Sequence, residues 1–300
     1  MQHILITGGT GLIGRALIDK LTGPDYKITV LTRHPKAAKS SLPASTKLIT
    51  SLQELSNLND VDAVINLAGE PIVNKRWSTA QKHKIEQSRF ATTESLVNLI
   101  NKSNPPPSVF ISGSAIGYYG RQDEHPIDES FDSPHPEYSH TLCKTWENIA
   151  FQAQSERTRV CLLRTGIVLS GQGGALSKMV LPFKLGLGGP IGDGKHIMSW
   201  IHIDDMVDGI LFLLRQKKCQ GVYNFTAPNA VSNRVFSKAL ASAVNRPCVL
   251  FTPKLVLTLA MGEMADLLIY GQNVVPRRLL EDGFTFIYTD IDEAFNSLSL

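Results

Sequence analysis

The sequence predicts an α/β fold, a doubly wound parallel sheet with a smaller mixed C-terminal lobe. Short runs rich in apolar and β-branched residues alternate with longer helical stretches through the first two-thirds of the chain. That alternation is typical of a parallel sheet with helices on both faces. After about Ser232 the pattern changes to helices followed by one short apolar run. The predicted sheet strands are Ile4–Thr7, Lys27–Leu31, Ala63–Leu67, Ser108–Ser112, Val160–Leu169 and Gly221–Phe225.

The predicted domain boundary follows the last of these strands. Residues 1–230 are expected to form the main domain, and residues 231–300 a small lobe on the substrate side with a final strand at Phe284–Tyr288. Residues 171–200 are a loop-rich stretch with their own helix. Ligands of such sheets bind in a cleft beyond the carboxyl ends of the strands, and we expect this stretch to face that cleft.

The composition excludes several classes of function. The 300 residues, 43% of them apolar, can bury a large core. A net charge of +3 with scattered Lys and Arg predicts no nucleic-acid partner. Four widely spaced cysteines suit free thiols in a reducing cytoplasm, and no His, Cys, Asp or Glu cluster has metal-ligand spacing. The first strand begins almost at Met1 and no apolar run is long enough to span a membrane, so we expect a cytoplasmic chain without a membrane partner.

The first strand runs into the glycine-rich sequence Gly8-Gly9-Thr10-Gly11-Leu12-Ile13-Gly14 and then into a helical pattern. Gly8 permits a tight turn, Gly11 lets the backbone approach a pyrophosphate, and Gly14 lets helix and strand pack closely. The helix N-terminus then offers free N–H groups to the phosphates. We therefore expect this run, with Thr10, Leu12 and Ile13, to bind a dinucleotide, and the sheet to be of the Rossmann type.

The residues after the second strand indicate which dinucleotide binds. A site that prefers NAD has an acidic residue there, which binds the ribose 2′-hydroxyl. Here Thr32 and Arg33 occupy that place. A carboxylate would repel a 2′-phosphate, whereas a guanidinium can pair with it through two hydrogen bonds. The sequence predicts NADP(H) as the cofactor.

The third strand ends in small residues, in the sequence Asn66-Leu67-Ala68-Gly69. Small side chains at this point let the cofactor's ribose and nicotinamide lie against the backbone. Leu67, Ala68 and Gly69 are therefore further candidates for cofactor binding.

Five motifs occur in the order found in extended short-chain dehydrogenases/reductases: the glycine-rich start, Asn66–Gly69, Ser112–Ser114, Trp200–Asp205 and Tyr223–Thr226. More narrowly, the chain resembles the atypical, YfcH-like "epimerase family" group, also labelled cell-division-inhibitor homologues. The resemblance covers nearly the whole chain and implies an NADP(H)-binding oxidoreductase or epimerase-like enzyme acting on an unassigned small molecule. The narrower resemblance rests on Leu185–Gly192, Ser199–Asp205, Asn224–Asn229, Gly271–Arg278 and Gly283-Phe284.

The catalytic pair of the superfamily, Tyr-x-x-x-Lys on a helix, is missing. Lys144 has His140 four residues earlier, and Tyr138 lies on a different helical face from Lys144. If Cys143 occupies the lysine position instead, Ser139 occupies the tyrosine position. Neither alignment restores the pair. His140 remains a candidate base at neutral pH.

Three further residues are candidates for the same cleft. Ser114 matches the superfamily serine that hydrogen-bonds a substrate carbonyl or hydroxyl, and Tyr118 is close enough in sequence to supply a phenol. Arg89 stands where typical members have a structural asparagine on the helix facing the nicotinamide. We expect Arg89 to contact the cofactor.

The substrate side also departs from the resemblance. Nucleotide-sugar epimerases have an Arg-Asp pair where this chain has Met198 and Ser199, and the arginine grips the diphosphate. Without that cation a nucleotide-sugar substrate is less favoured. His202 is expected to be structural.

A non-catalytic NADP-binding regulatory protein and a nucleotide-sugar epimerase remain as alternative functions, and the sequence does not indicate the oligomeric state.

Overall fold

The computed structural model describes residues Met1 to Leu300. Its strands are β1 (Gln2–Thr7), β2 (Tyr26–Leu31), β3 (Lys47–Ile49), β4 (Ala63–Asn66), β5 (Val109–Ala115), β6 (Pro126–Ile127), β7 (Arg159–Thr165), β8 (Ile167–Leu169), β9 (Ile197–Met198), β10 (Trp200–His202), β11 (Gly221–Phe225), β12 (Val231–Ser232) and β13 (Asn273–Val274). Its helices are α1 (Leu12–Lys20), α2 (Pro35–Ser41), α3 (Thr79–Lys102), α4 (Tyr138–Phe151), α5 (Gly174–Lys184), α6 (Ile203–Arg215), α7 (Asn233–Ala243), α8 (Lys254–Met261), α9 (Asp266–Ile269), α10 (Arg277–Glu281) and α11 (Ile291–Asn296).

Seven strands form one parallel sheet in the order β3-β2-β1-β4-β5-β7-β11. The order reverses between β1 and β4, where Thr7 pairs with Asn66. In open sheets of this kind the ligand crevice lies beyond the carboxyl ends of the strands at that reversal. The predicted doubly wound α/β fold is confirmed, and its expected cleft begins at Thr7.

Helices cover both faces of the sheet, because the buried residues of each strand alternate between two cores. Ile4 and Ile6 of β1 lie in the core shared with α1 and α6, whereas Leu5 lies in the core shared with α3 and α4. No helix is both long and apolar enough to cross a membrane.

A third core lies beside the sheet. It combines residues of the 171–200 stretch, such as Leu176 and Trp200, with Phe236 of α7 and Phe295 of α11. The loop-rich stretch and the C-terminal helices therefore share one apolar interior.

The long predicted strand Val160–Leu169 is two strands, and the short β3 was not predicted. The chain leaves the main sheet at Gly166, where an added Cβ would lie 2.6 Å from the carbonyl oxygen of Ser199. Beyond this point, β8 pairs with β10 instead.

The predicted strand Phe284–Tyr288 is wrong, since this segment is an irregular loop. Phe284 and Phe286 are both buried against the main core, which produces the two-residue alternation of a strand. The backbone N–H groups of Ile287 and Tyr288, however, donate to the Asp205 carboxylate at 2.7 and 3.0 Å. A side chain at the start of α6 thus replaces the neighbouring strand.

Candidate functional site

The glycine-rich turn at the end of β1 has no room for a side chain at Gly8 or Gly14. Gly8 has φ +70°, and an added Cβ there would lie 2.5 Å from the carbonyl carbon of Leu67. A Cβ at Gly14 would overlap the carbonyl oxygen of Gly8. Gly11 precedes α1 and offers no side-chain cap, so the first N–H groups of the helix remain free for a ligand. Thr10 and Gly11 are exposed at the tip of the turn, and Leu12 and Ile13 are half-buried behind it.

The two residues after β2 have different environments, with Thr32 buried and Arg33 exposed. Thr32 is buried, its N–H donates to the Ile49 carbonyl at 2.9 Å, and its hydroxyl accepts from the His34 N–H. Arg33 is exposed and takes part in no ion pair. The turn therefore presents one unpaired guanidinium beside the glycine-rich loop.

Arg89 of α3 closes the end of the cleft beyond β4. Its Nη1 donates to the carbonyl oxygens of Glu70 and Ile85, each at 3.1 Å, and its guanidinium carbon lies 5.2 Å from the centre of the Trp146 ring. A Cβ on Gly69 would lie 3.0 Å from that guanidinium. The half-buried arginine and the Leu67–Gly69 turn are thus in direct contact.

A buried hydrogen-bond network fixes the floor between β1, β4 and β5. The side-chain oxygen of Asn66 accepts from the Thr7 hydroxyl at 2.6 Å, and its amide donates to Thr93 and Ser112. The indole N–H of Trp146 also donates to Thr93. Because every one of these polar groups is paired, the strand ends hold one geometry.

Ser114 belongs to a second buried network. Its hydroxyl donates to Oε1 of Glu147 at 2.6 Å. Arg164 of β7 forms a two-point ion pair with the same carboxylate, Nε to Oε1 at 2.9 Å and Nη2 to Oε2 at 2.8 Å. Since the hydroxyl hydrogen of Ser114 is used in the hydrogen bond to Glu147, the Ser114 oxygen can only accept a hydrogen bond from a ligand.

Tyrosines surround Arg164. The Tyr118 ring stacks on its guanidinium at 3.4 Å, and the Tyr119 hydroxyl accepts from Nη1 at 3.1 Å and donates to Asn224 at 2.7 Å. Burial raises the pKa of Tyr119 to about 12, so this phenol stays protonated. His140 Nδ1 bonds the Tyr118 carbonyl oxygen, which attaches this turn to α4. Ser114, Tyr118 and His140 therefore lie together, with Arg164 between the aromatic rings and Glu147.

The burial of residues on helix α4 favours the alignment that places Ser139 at the tyrosine position and Cys143 at the lysine position. Ser139 and Cys143 are buried, and a Cβ on Gly117 would lie 3.1 Å from the Ser139 Cβ and 3.7 Å from the Cys143 Sγ. Lys144 is exposed. Burial raises the pKa of the Cys143 thiol to about 12, so it is neutral at physiological pH. The inward positions at this spacing thus carry neither a phenol nor an ammonium group.

Ion pairs join the C-terminal segment to the main sheet domain above these residues. Lys82 pairs with Glu263 at 2.6 Å, and Arg121 pairs with both Glu137 and Asp266 at 3.1 Å. Beneath these pairs is a cavity of about 20 Å³, which is enough for one water molecule. The cavity is lined by Trp77, Glu137, Tyr138, Ser139, Glu263, Asp266 and Leu267.

On the substrate side, Ser199 is buried and binds backbone. Its hydroxyl donates to the Gln272 carbonyl at 2.7 Å and accepts from the Val274 N–H at 2.9 Å, which holds β13 in place. His202 caps α6 by accepting from the Asp204 N–H, and its other ring nitrogen contacts Ser297. These contacts agree with the structural role predicted for His202.

Sequence reasoning missed Glu147, Arg164 and Asn224, which connect Ser114 to the end of β11. One signal was available, because Glu147 lies four residues after Cys143 and therefore shares its inward helical face. Arg164 gave no such signal in the sequence, since a charged residue inside a strand does not reveal its partner on another element.

Comparisons with known proteins agree with this geometry. The family described as the NAD dependent epimerase/dehydratase family matches residues 4–225, and a domain of unknown function, DUF1731, matches residues 252–298. Epimerase family protein SH2119 of Staphylococcus haemolyticus is 38% identical over 299 residues, which is 99% of each chain.

Two solved structures extend the comparison. The crystal structure of human epimerase family protein SDR39U1 (isoform 2) with NADPH superimposes with a TM-score of 0.91, at 32% identity and 99% coverage of each chain. A nucleoside-diphosphate sugar epimerase from Corynebacterium glutamicum has a TM-score of 0.77 at 30% identity, and the match covers 98% of this chain and 57% of that one. The resemblance to atypical short-chain dehydrogenases/reductases is confirmed, and the chain belongs to the NAD dependent epimerase/dehydratase family.

Proposed function

We propose that this protein binds NADP(H) and uses it as an oxidoreductase, or in an epimerase-like oxidation and reduction cycle, on a small molecule. The observation that carries the proposal is the exposed Arg33, which takes part in no ion pair and follows β2 beside a glycine-rich turn with no room for a side chain at Gly8 or Gly14. The family match and the human relative whose structure contains NADPH support it.

The residues present fit a dinucleotide. Gly8 and Gly14 let the turn pack closely against the Leu67 backbone and the start of α1, and the uncapped start of α1 has free N–H groups and no acidic residue in its first turn. A pyrophosphate supplies the negative charge that such a helix end favours. Arg33 then pairs with a 2′-phosphate at the far side of the loop.

The nicotinamide supplies the hydride, and this chain's residues position the reactants. The Leu67–Gly69 turn and Arg89 form the wall at that end of the cleft, and the Ser114 oxygen accepts a hydrogen bond from a hydroxyl or amide of the ligand. The Glu147–Arg164 pair holds Ser114 in that orientation.

Selectivity for the cofactor tests this proposal directly. Wild-type protein should bind NADPH more tightly than NADH, and Arg33→Ala should weaken NADPH binding about ten- to a hundredfold, because a charge-assisted hydrogen bond contributes about 1.5–3 kcal/mol. NADH affinity should stay unchanged. Isothermal titration of both nucleotides measures this, with Lys39→Ala, an exposed cation on α2, as the matched control. Equal wild-type affinities for the two nucleotides would refute the proposal.

A second prediction concerns Arg89. Arg89→Met keeps most of the apolar stem and removes the charge, so NADPH binding should weaken about tenfold through loss of one charge-assisted contact. The variant frees the carbonyl oxygens of Glu70 and Ile85, so its melting temperature is measured without cofactor as well. Lys84→Met on the exposed face of α3 is the control. An unchanged NADPH-induced melting shift would exclude Arg89 from the site.

The alternative function is a non-catalytic NADP-binding regulatory protein. It is favoured by the neutral Ser139 and Cys143 at the catalytic-pair positions. Tight NADPH binding without oxidation in the presence of a panel of aldehydes and ketones supports this alternative, whereas any substrate-dependent loss of NADPH absorbance supports the enzyme.

A nucleotide-sugar epimerase is the third function, and the relative from Corynebacterium glutamicum has that description. In this chain Met198 and Ser199 are buried, and the Ser199 hydroxyl is committed to β13. No cation stands at the two positions for a diphosphate, which favours a substrate of another class.

A further inference from the structure

Charge is segregated along this nearly neutral chain. Whereas the whole sequence has 30 Lys and Arg against 27 Asp and Glu, residues 171–192 and 226–262 contain no acidic residue at all. They contain six cations, all of them exposed and none in an ion pair. The cations are Lys178, Lys184, Arg234, Lys238, Arg246 and Lys254. Although Lys and Arg are scattered along the whole chain, these two stretches have only positive charge.

The same two stretches expose large apolar side chains. Helix α8 has no buried residue. The exposed fractions are 79% for Val249, 70% for Leu259, 68% for Leu255, 66% for Phe251, 65% for Leu185, 61% for Leu187 and 60% for Leu181. Side chains this exposed protrude from the surface and do not line a groove.

Three hydrogen bonds join the two stretches into one surface. The Thr252 N–H donates to the Pro190 carbonyl at 2.8 Å, and the Gly192 N–H donates to the Thr252 carbonyl at 2.9 Å. Nε of Arg246 donates to the Lys184 carbonyl at 3.0 Å, at the end of α5. We call the exposed residues of 181–187 and 246–259 the apolar–basic face. The exposed Asp193 lies next to this face, and its pKa is lowered by the Lys195 N–H and by nearby Lys254.

We propose that the apolar–basic face docks on the surface of a membrane rich in anionic lipids. Protruding leucine, valine and phenylalanine side chains enter the boundary between headgroups and acyl chains, while lysine and arginine pair with anionic headgroups. A second copy of this chain would bring like charges together, which disfavours self-association through this face. A nucleic acid would leave the apolar side chains without a partner.

Docking at one face requires no membrane-spanning segment, so the lack of such a segment in the sequence does not oppose this kind of membrane partner. Residues that flank the face contact the loop between β4 and α3, since Lys178 Nζ donates to Asn74 and Gly262 after α8 lies against Arg76.

Vesicle flotation with the full-length chain tests the proposal. The protein should float with vesicles of phosphatidylcholine and phosphatidylglycerol, and much less with phosphatidylcholine alone. Lys184→Gln and Lys254→Gln should each weaken binding about fivefold, because a cation near an anionic surface contributes about 1 kcal/mol. The double variant Leu255→Ser with Leu259→Ser should weaken it about tenfold or more.

The matched control is Leu280→Ser with Ile287→Ser, two apolar residues outside the face that are 48% and 60% exposed. Its vesicle binding should equal that of the wild type. Equal binding to both vesicle types, or binding unaffected by the Leu255 and Leu259 changes, would overturn the proposal. So would a wild-type dimer in sedimentation that these two changes convert to a monomer. Unchanged NADPH affinity of each variant provides an independent check that its fold is intact.

Discussion

Replacement of Gly8 by alanine is expected to lower the free energy of unfolding by about 2–5 kcal/mol and to weaken NADPH binding about a hundredfold or more. Two effects combine at this position. An L-residue at φ +70° is strained by about 1–2 kcal/mol. Its Cβ would also lie 2.5 Å from the Leu67 carbonyl, and overpacking against backbone costs about 1–3 kcal/mol.

The loss of binding follows from the same contact. To admit the methyl group, the glycine-rich turn must move away from Leu67 and Ala68, and these two segments are the two walls of the proposed cofactor cleft. The N–H groups at the start of α1 then no longer point at the phosphates, and each charge-assisted hydrogen bond lost costs about 1.5–3 kcal/mol.

Gly186→Ala separates strain from overpacking. Gly186 has φ +73°, nearly that of Gly8, but nothing lies within 4 Å of an added Cβ. It should lose only the strain component, about 1–2 kcal/mol, and bind NADPH as the wild type does. Chemical denaturation and isothermal titration of both variants measure the difference. Similar losses in the two variants would show that the close approach to Leu67 has no effect on the cleft.

A structural feature could be predicted from the sequence where residues close together in the chain determine it. The sheet and the glycine-rich turn were predictable, because alternating runs and glycine spacing are set by neighbours in the chain. Phe284–Tyr288 has the same alternation, yet its N–H groups bond Asp205, some eighty residues earlier in the chain. The pattern identified the buried side chains correctly and the hydrogen-bond partner wrongly.

The candidate site divides in the same way. The exposed position of Arg33 follows from its place after a strand, and the missing catalytic pair follows from helical spacing. The Ser114–Glu147–Arg164 network was not predictable, because it joins β5, α4 and β7 through contacts between residues distant in sequence. Only the assembled fold shows that the Ser114 hydroxyl already donates a hydrogen bond to Glu147.

Removal of Arg164 should be the most destabilising single change to a charged residue. Arg164 and Glu147 have side chains only 5% and 4% exposed, with two hydrogen bonds between them. Arg164→Met leaves a buried carboxylate without a counter-charge, which costs about 3–5 kcal/mol. Tyr118 and Tyr119 lose their common partner in the same step, and Glu147, which accepts from Ser114, loses the arginine that holds it. NADPH-dependent activity on any substrate found should therefore fall with stability.

Two comparison variants make this result specific to the buried charge. Arg277 also pairs with two carboxylates, Asp128 at 3.0 Å and Glu281 at 2.8 Å, but its side chain is 60% exposed, so Arg277→Met should cost less than about 1 kcal/mol. Adding Glu147→Leu to Arg164→Met should recover part of the loss, because no uncompensated charge remains. Urea denaturation of the four proteins measures both effects. A double variant as unstable as Arg164→Met would mean that the arginine stabilises the fold by packing against Tyr118 and Tyr119, and not by compensating Glu147.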